Sequence, residues 1–138
     1  MLFRSNVPQD AVVCSADHFF ESRAEGYNWN PKLAGLAHHI CFRKYVAALK
    51  NPSVNSIVVD NTNTKHEYMR NYVHEANNHG YDVNIVAIVA NPMLAAKRNV
   101  HKVPMETVQL MNEQLKNTLK QGFPTDWKIA SIVKVNNV

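Results

Sequence analysis

Two acids stand where apolar runs give way to polar residues. The run from Ala11 to Cys14 ends in Ser15-Ala16-Asp17, and the β-branched run Ile57-Val58-Val59 ends in Asp60. A carboxylate held within hydrogen-bond reach of a hydroxyl can take its proton and so assist transfer of a group to that oxygen. A plainer reading applies to each acid alone, because Asp after a strand is a common turn former or helix cap. Two acids at two strand ends shift the balance toward a shared site, since open parallel sheets bind ligands outside the carboxyl ends of their strands.

Other residues have chemical potential but weaker patterns. His38, His39 and Cys41 cluster on one predicted helix, yet only His38 and Cys41 share a face, and His74 and His79, five apart, supply no second half-site. No metal site is expected. Tyr27 and Trp29 flank a loop punctuated by Asn30-Pro31. Such rings can stack on a nucleobase, although covering an edge of the core is their more frequent use.

The acids must be positioned by the elements around them. After the first strand, Lys32 to Leu49 carries Leu33, Leu36, Ile40, Tyr45 and Leu49 at near-helical spacing. Ser56 to Val59 reads as a buried parallel strand. Thr64 is placed to cap a helix from Lys65 to about His79, with Glu67 three residues on as in a capping box and Gly80 as the stop. A strand over Val83–Val89, helices opening at Pro92 and at Pro104, a break at Gly122-Phe123-Pro124 and a strand near Ile129–Val135 complete the pattern. This alternation predicts one α/β domain over residues 1–138, a parallel sheet with helices on both faces.

Composition bounds the function. At 138 residues and 46% hydrophobic content, one core is affordable and two are not. The longest apolar runs, Ile57–Val59 and Ile85–Ala90, are too short to cross a bilayer, and no basic-then-apolar leader opens the chain. Cys14 and Cys41 lack paired metal-ligand spacing and read as reduced packing residues. A cytoplasmic protein is the expectation. The net charge of +4 favours an acidic partner, phosphate-bearing or nucleic acid, but the basic residues form no continuous stripe.

Several blocks, taken in order, resemble the polynucleotide-kinase-like P-loop ATPases, and more closely the kinase-like domain of the NEDD-family ubiquitin-ligase-binding proteins. They are Ser15-Ala16-Asp17-His18-Phe19-Phe20 with Gly26-Tyr27 and Asn30-Pro31, then Ile57-Val58-Val59-Asp60-Asn61-Thr62-Asn63 with Gly80-Tyr81-Asp82-Val83, and Lys97-Arg98-Asn99-Val100-His101-Lys102-Val103-Pro104 with Met111. The resemblance spans approximately Val12 to Leu115. It implies a three-layer P-loop kinase fold that moves a phosphoryl group from ATP, with Mg²⁺, to a hydroxyl of a nucleic acid or small metabolite. It makes Asp17 the general base, and Asp60 an organiser of the acceptor side with Arg23, Tyr27, Asn61 and Asn63 as acceptor contacts. Arg98 becomes the lid residue that reaches the ATP phosphates, where a planar guanidinium suits developing charge. His18 replaces the second acid usual in the family, which places any auxiliary role of that position in doubt.

One part of the family pattern is missing. A P-loop kinase needs G-x-x-x-x-G-K-[ST], whose backbone amides wrap the phosphates while the Lys neutralises them and the hydroxyl holds Mg²⁺. Gly26, Gly35, Gly80 and Gly122 all follow the first strand, and none precedes Lys-Ser or Lys-Thr. The expectation is an N-terminally truncated domain, the C-terminal portion of a kinase that does not bind ATP and Mg²⁺ by itself. The alternative is a non-catalytic nucleic-acid or protein-binding module that has lost ATP binding. Oligomeric state is left open.

Overall fold

The computed structural model describes residues 10–21, 31–90 and 104–137. Its elements are β1 (Val12–Cys14), α1 (Asp17–Glu21), a single 3₁₀ turn (Pro31–Leu33), α2 (Ala34–Lys50), β2 (Ile57–Val59), α3 (His66–Asn78), β3 (Asn84–Ala90), α4 (Met105–Gln121) and β4 (Ser131–Asn137). Among the described residues the predicted alternation of strand and helix is present and each strand pairing is parallel; the helix expected to open at Pro92 lies outside them. The fold is therefore α/β. Among the described residues the strands form two two-stranded sheets, β1–β2 and β3–β4. They fall in two compact units, residues 1–61 and 62–138.

In the first unit β1 and β2 run in register from Val12 opposite Ile57 to Cys14 opposite Val59. The ladder is extended at both ends, where the Val12 N–H donates to Ser56 O and the Asp60 N–H to Cys14 O, each at 2.9 Å. Helix α2 packs on this pair. Its buried face is Ala37, Cys41, Tyr45, Ala48 and Leu49, joined in the core by Cys14, Ala16 and Phe20. Leu36 and Ile40, expected on the packed face, are 48% and 44% exposed. Tyr45 and Leu49 are buried as expected, whereas Ala37 and Cys41 take the place of Leu36 and Ile40, small side chains that let this part of the helix pack closely against its sheet.

In the second unit β3 and β4 pair over all seven residues of each strand, from Asn84 opposite Ser131 to Ala90 opposite Asn137. Met69 and Val73 of α3 pack with Trp127, flanked by Val83, Phe123 and Ile129. Helix α3 ends as its sequence predicts. Gly80 has φ +74°, its N–H donates to Asn77 O, and the Tyr81 N–H reaches back to Ala76 O, the paired bonds of a Schellman stop. The expected start is corrected. Lys65, not Thr64, is the N-cap, and no side chain caps the helix. The Thr64 hydroxyl instead donates to Gln114 Oε1 at 2.8 Å, and Thr64 O accepts from the Thr118 hydroxyl at 2.6 Å. A half-buried tertiary acceptor on α4 outcompetes the local cap.

Candidate functional site

The site is built from the carboxyl ends of β1 and β2. Because Cys14 pairs with Val59 and the Asp60 N–H bonds Cys14 O, the chain leaves both strands side by side at one rim. Asp60 stands at that rim directly. Asp17 arrives two residues later, at the first position of the five-residue α1. Both acids are half-buried.

The turn that presents Asp17 is held on every side. Ser15, 8% exposed, accepts the Asp17 N–H on its hydroxyl at 3.2 Å, and its carbonyl accepts the His18 N–H, also at 3.2 Å. The Phe19 N–H donates to Ala16 O at 3.3 Å. Asn61 Oδ1 takes the Ala16 N–H at 2.8 Å, and Asn61 Nδ2 lies 3.6 Å from Cys41 Sγ as its donor. From α2, Lys44 Nζ donates to Val13 O at 2.9 Å. Side chains of Ser15, Asn61 and Lys44 thus bond backbone groups of β1 and of the turn that follows it.

The two cysteines lie beneath this turn, both buried and unbridged. Burial pushes the Cys14 thiol up from its ordinary 9.0 to about 11; the Cys41 thiol adds to the shift and the Lys44 ammonium opposes it. A thiol so raised stays protonated near neutrality and acts as a packing group, not a nucleophile.

The structure brings together Asp17, Asp60 and Asn61. Asn63 is half-buried and belongs to the second unit. Arg23, Tyr27 and Arg98, and with Arg98 the whole 97–103 block, lie outside the described residues. Sequence reasoning did not foresee the parts played by Ser15, Cys41 and Lys44. Cys41 and Lys44 had a usable signal: three positions apart, they lie on neighbouring turns of one helix and reach the same strand.

No described residue fits a triphosphate cradle. Gly35 lies inside α2, while Gly80 and Gly122, both at φ +74°, terminate α3 and α4. The 138-residue sequence has no G-x-x-x-x-G-K-[ST] to add to them. Among the described residues no group of three or more His, Cys, Asp or Glu is arranged for a metal ion, and no helix is long and apolar enough to cross a membrane. A shallow polar cavity of about 230 Å³ lies in the second unit, between Lys65 and Glu67 at the start of α3 and Gln114, Thr118 and Gln121 of α4.

The parallel strands and their alternation with helices are consistent with a P-loop domain. A family model described as an AAA domain matches residues 2–125, so the chain belongs to that family, whose members are P-loop nucleotide-binding domains.

Proposed function

We propose that this chain forms the acceptor side of a kinase-like P-loop domain, with Asp17 as the general base that receives the proton of an acceptor hydroxyl. The observation that carries the reading is the parallel β1–β2 register, which delivers Asp17 and Asp60 to one rim. Asp17 would hold the hydroxyl through its carboxylate and accept its proton as the oxygen becomes nucleophilic. Asp60 would orient the acceptor beside it. The turn around Asp17 is fixed by hydrogen bonds that Ser15 and Ala16 accept from the Asp17, His18 and Phe19 N–H groups, so the backbone that bears the carboxylate is in place before the acceptor arrives. Asn63, Arg23 and Tyr27 would contribute acceptor contacts and Arg98 a phosphate contact. The acceptor is a nucleic-acid 5′-hydroxyl or a small hydroxylated metabolite, and the setting is cytoplasmic.

In such domains ATP would supply the transferred phosphoryl group and Mg²⁺ would offset the charge of its phosphates, and this sequence has no G-x-x-x-x-G-K-[ST] to cradle them. Calorimetry on the 138-residue chain is therefore expected to give no Mg²⁺-dependent ATP binding in the micromolar range. To test the base, the chain is joined in frame to the strand–P-loop–helix segment of an active relative. Transfer from ATP to 5′-hydroxyl oligonucleotides and to polyols is then measured. Asp17→Asn is expected to lose about 10²- to 10⁴-fold in turnover while ATP binding is retained. Near-full turnover on every acceptor would reduce Asp17 to a strand-end turn residue. Arg98→Ala should impair ATP affinity, turnover or both, and His18→Asp should preserve or raise activity.

A further inference from the structure

We propose that Asn61 is a positioning residue, a two-ended clamp that locks the Asp17 turn of β1 to the end of β2 and to α2, and not an acceptor contact. The proposal deepens the reading of Asp17 as the base and rests on it.

Both ends of the Asn61 amide are engaged within the chain. Its oxygen accepts the Ala16 N–H, 45 positions away, and its nitrogen donates to Cys41 Sγ, 20 positions away. Ala16 is only 7% exposed, so water does not readily replace the Asn61 oxygen, and a buried N–H without a partner is costly. The amide cannot be turned end for end. Rotated, its NH₂ would face the Ala16 N–H, donor against donor, and the sulfur would face an oxygen.

Cys41 thus has a task beyond packing. At 3% exposure it is a weak but sheltered acceptor that keeps the amide oriented. The bonded N–H is one residue from Asp17, and the clamp follows Asp60 directly. One short segment therefore presents one acid and immobilises the turn bearing the other. Ser15 secures the far side of the same turn through the Asp17 and His18 amides. Without Asn61 the turn keeps its local bonds and loses the side-chain bond that ties the Ala16 N–H to the end of β2.

The test uses NMR on the 138-residue chain and needs no turnover. Amide exchange is read at Ala16 and, as a control, at Tyr45 and Val46 inside α2, and the three-bond couplings of Asp17 report whether its side chain holds one rotamer. Asn61→Leu is expected to accelerate Ala16 exchange roughly tenfold and to average the Asp17 couplings, with the α2 amides unchanged. Asn61→Asp, which keeps an acceptor toward Ala16, should restore Ala16 protection. Cys41→Ala should loosen Ala16 by a smaller factor and Cys41→Ser should recover it, so the proposal is still tested if Asn61→Leu does not fold. Ala16 exchange within twofold of the parent in both Asn61→Leu and Cys41→Ala would overturn the clamp. A uniform rise across α2 would do so as well, since it marks loss of stability and not of position. If the clamp is upheld while Asp17→Asn keeps its turnover in the transfer assay, the reading of Asp17 as base fails alone.

Discussion

The two units are built on the same plan, a parallel strand pair connected through helices, yet they use their polar side chains differently. Among the described residues of 1–61, side-chain hydrogen bonds link β1, the turn after it and α2 with the end of β2: Asn61 to Ala16, Asn61 to Cys41 and Lys44 to Val13. In residues 62–138 they tie helix ends to other segments: Thr64 to Gln114 and Thr118, His66 Nε2 to Gly122 O at 2.6 Å, and Asn77 to Lys128. The cores differ as well. In the first, the small side chains of Cys14, Ala16, Ala37, Cys41 and Ala48 fill in around Phe20, Tyr45 and Leu49; in the second, Met69 and Val73 pack on Trp127. Small side chains beside the strands let directed hydrogen bonds reach a turn, whereas a core centred on one large ring draws its stability from apolar area.

This contrast can be broken most forcefully at Trp127, which is 5% exposed and edge-on to His66 at 6.0 Å between ring centroids. Trp127→Ala should cost about 3–5 kcal/mol in denaturant unfolding. Amides of α3 and β3 should lose protection ahead of those of α2. Equal loss in both units would show that they unfold as one and would remove the contrast in stability.

The next effect belongs to the first unit and to alkaline pH. Cys14 is raised in the folded state from 9.0 to about 11, so above pH 9 the unfolded chain sheds a proton that the folded chain keeps. Stability from this group is complete below pH 9 and is lost as the pH climbs toward 11. The total is roughly 2–3 kcal/mol by linkage. Denaturant midpoints measured from pH 8 to 11 should fall in the parent and be flatter in Cys14→Ala.

Smaller still is the part-buried bond from Thr118 to Thr64 O, next to the one that displaced the expected helix cap. Thr118→Val keeps the shape but leaves Thr64 O without its hydroxyl donor, at a cost of about 1–2 kcal/mol. Thermal denaturation reads this directly, and an unchanged midpoint would mean that solvent satisfies the carbonyl. The least change is expected at Gly80. A Cβ there meets open space but sits at φ +74°, so Gly80→Ala should cost about 1 kcal/mol, seen as fraying of the last turn of α3 in amide exchange.

Much of the fold was legible because its signals are local. The β-branched run at 57–59, the glycine stops after α3 and α4 and the proline opening α4 act through their own φ angles and nearest neighbours. The start of α3 was misread for the opposite reason. Thr64 and Glu67 satisfy a capping pattern, but the hydroxyl had a better partner 50 positions along the chain. The packed face of α2 was misread because periodicity weighs apolar character, so Leu36 and Ile40 outranked Ala37 and Cys41, whereas close packing selected the smaller residues.

The candidate site divides along the same line. Sequence alone determined which residues end the strands, hence the presence of Asp17 and Asp60 after apolar runs and of Asn61 beside them, because strand termination is governed by adjacent residue types. The alternation of strands and helices already implied that the two strands run parallel; only the tertiary structure decided their register, and that the Asn61 amide turns inward to Ala16 and Cys41. Those choices depend on which buried donor meets which acceptor across 20 to 45 residues of chain. That pairing is set by packing and desolvation once the chain has folded, and no local pattern encodes it.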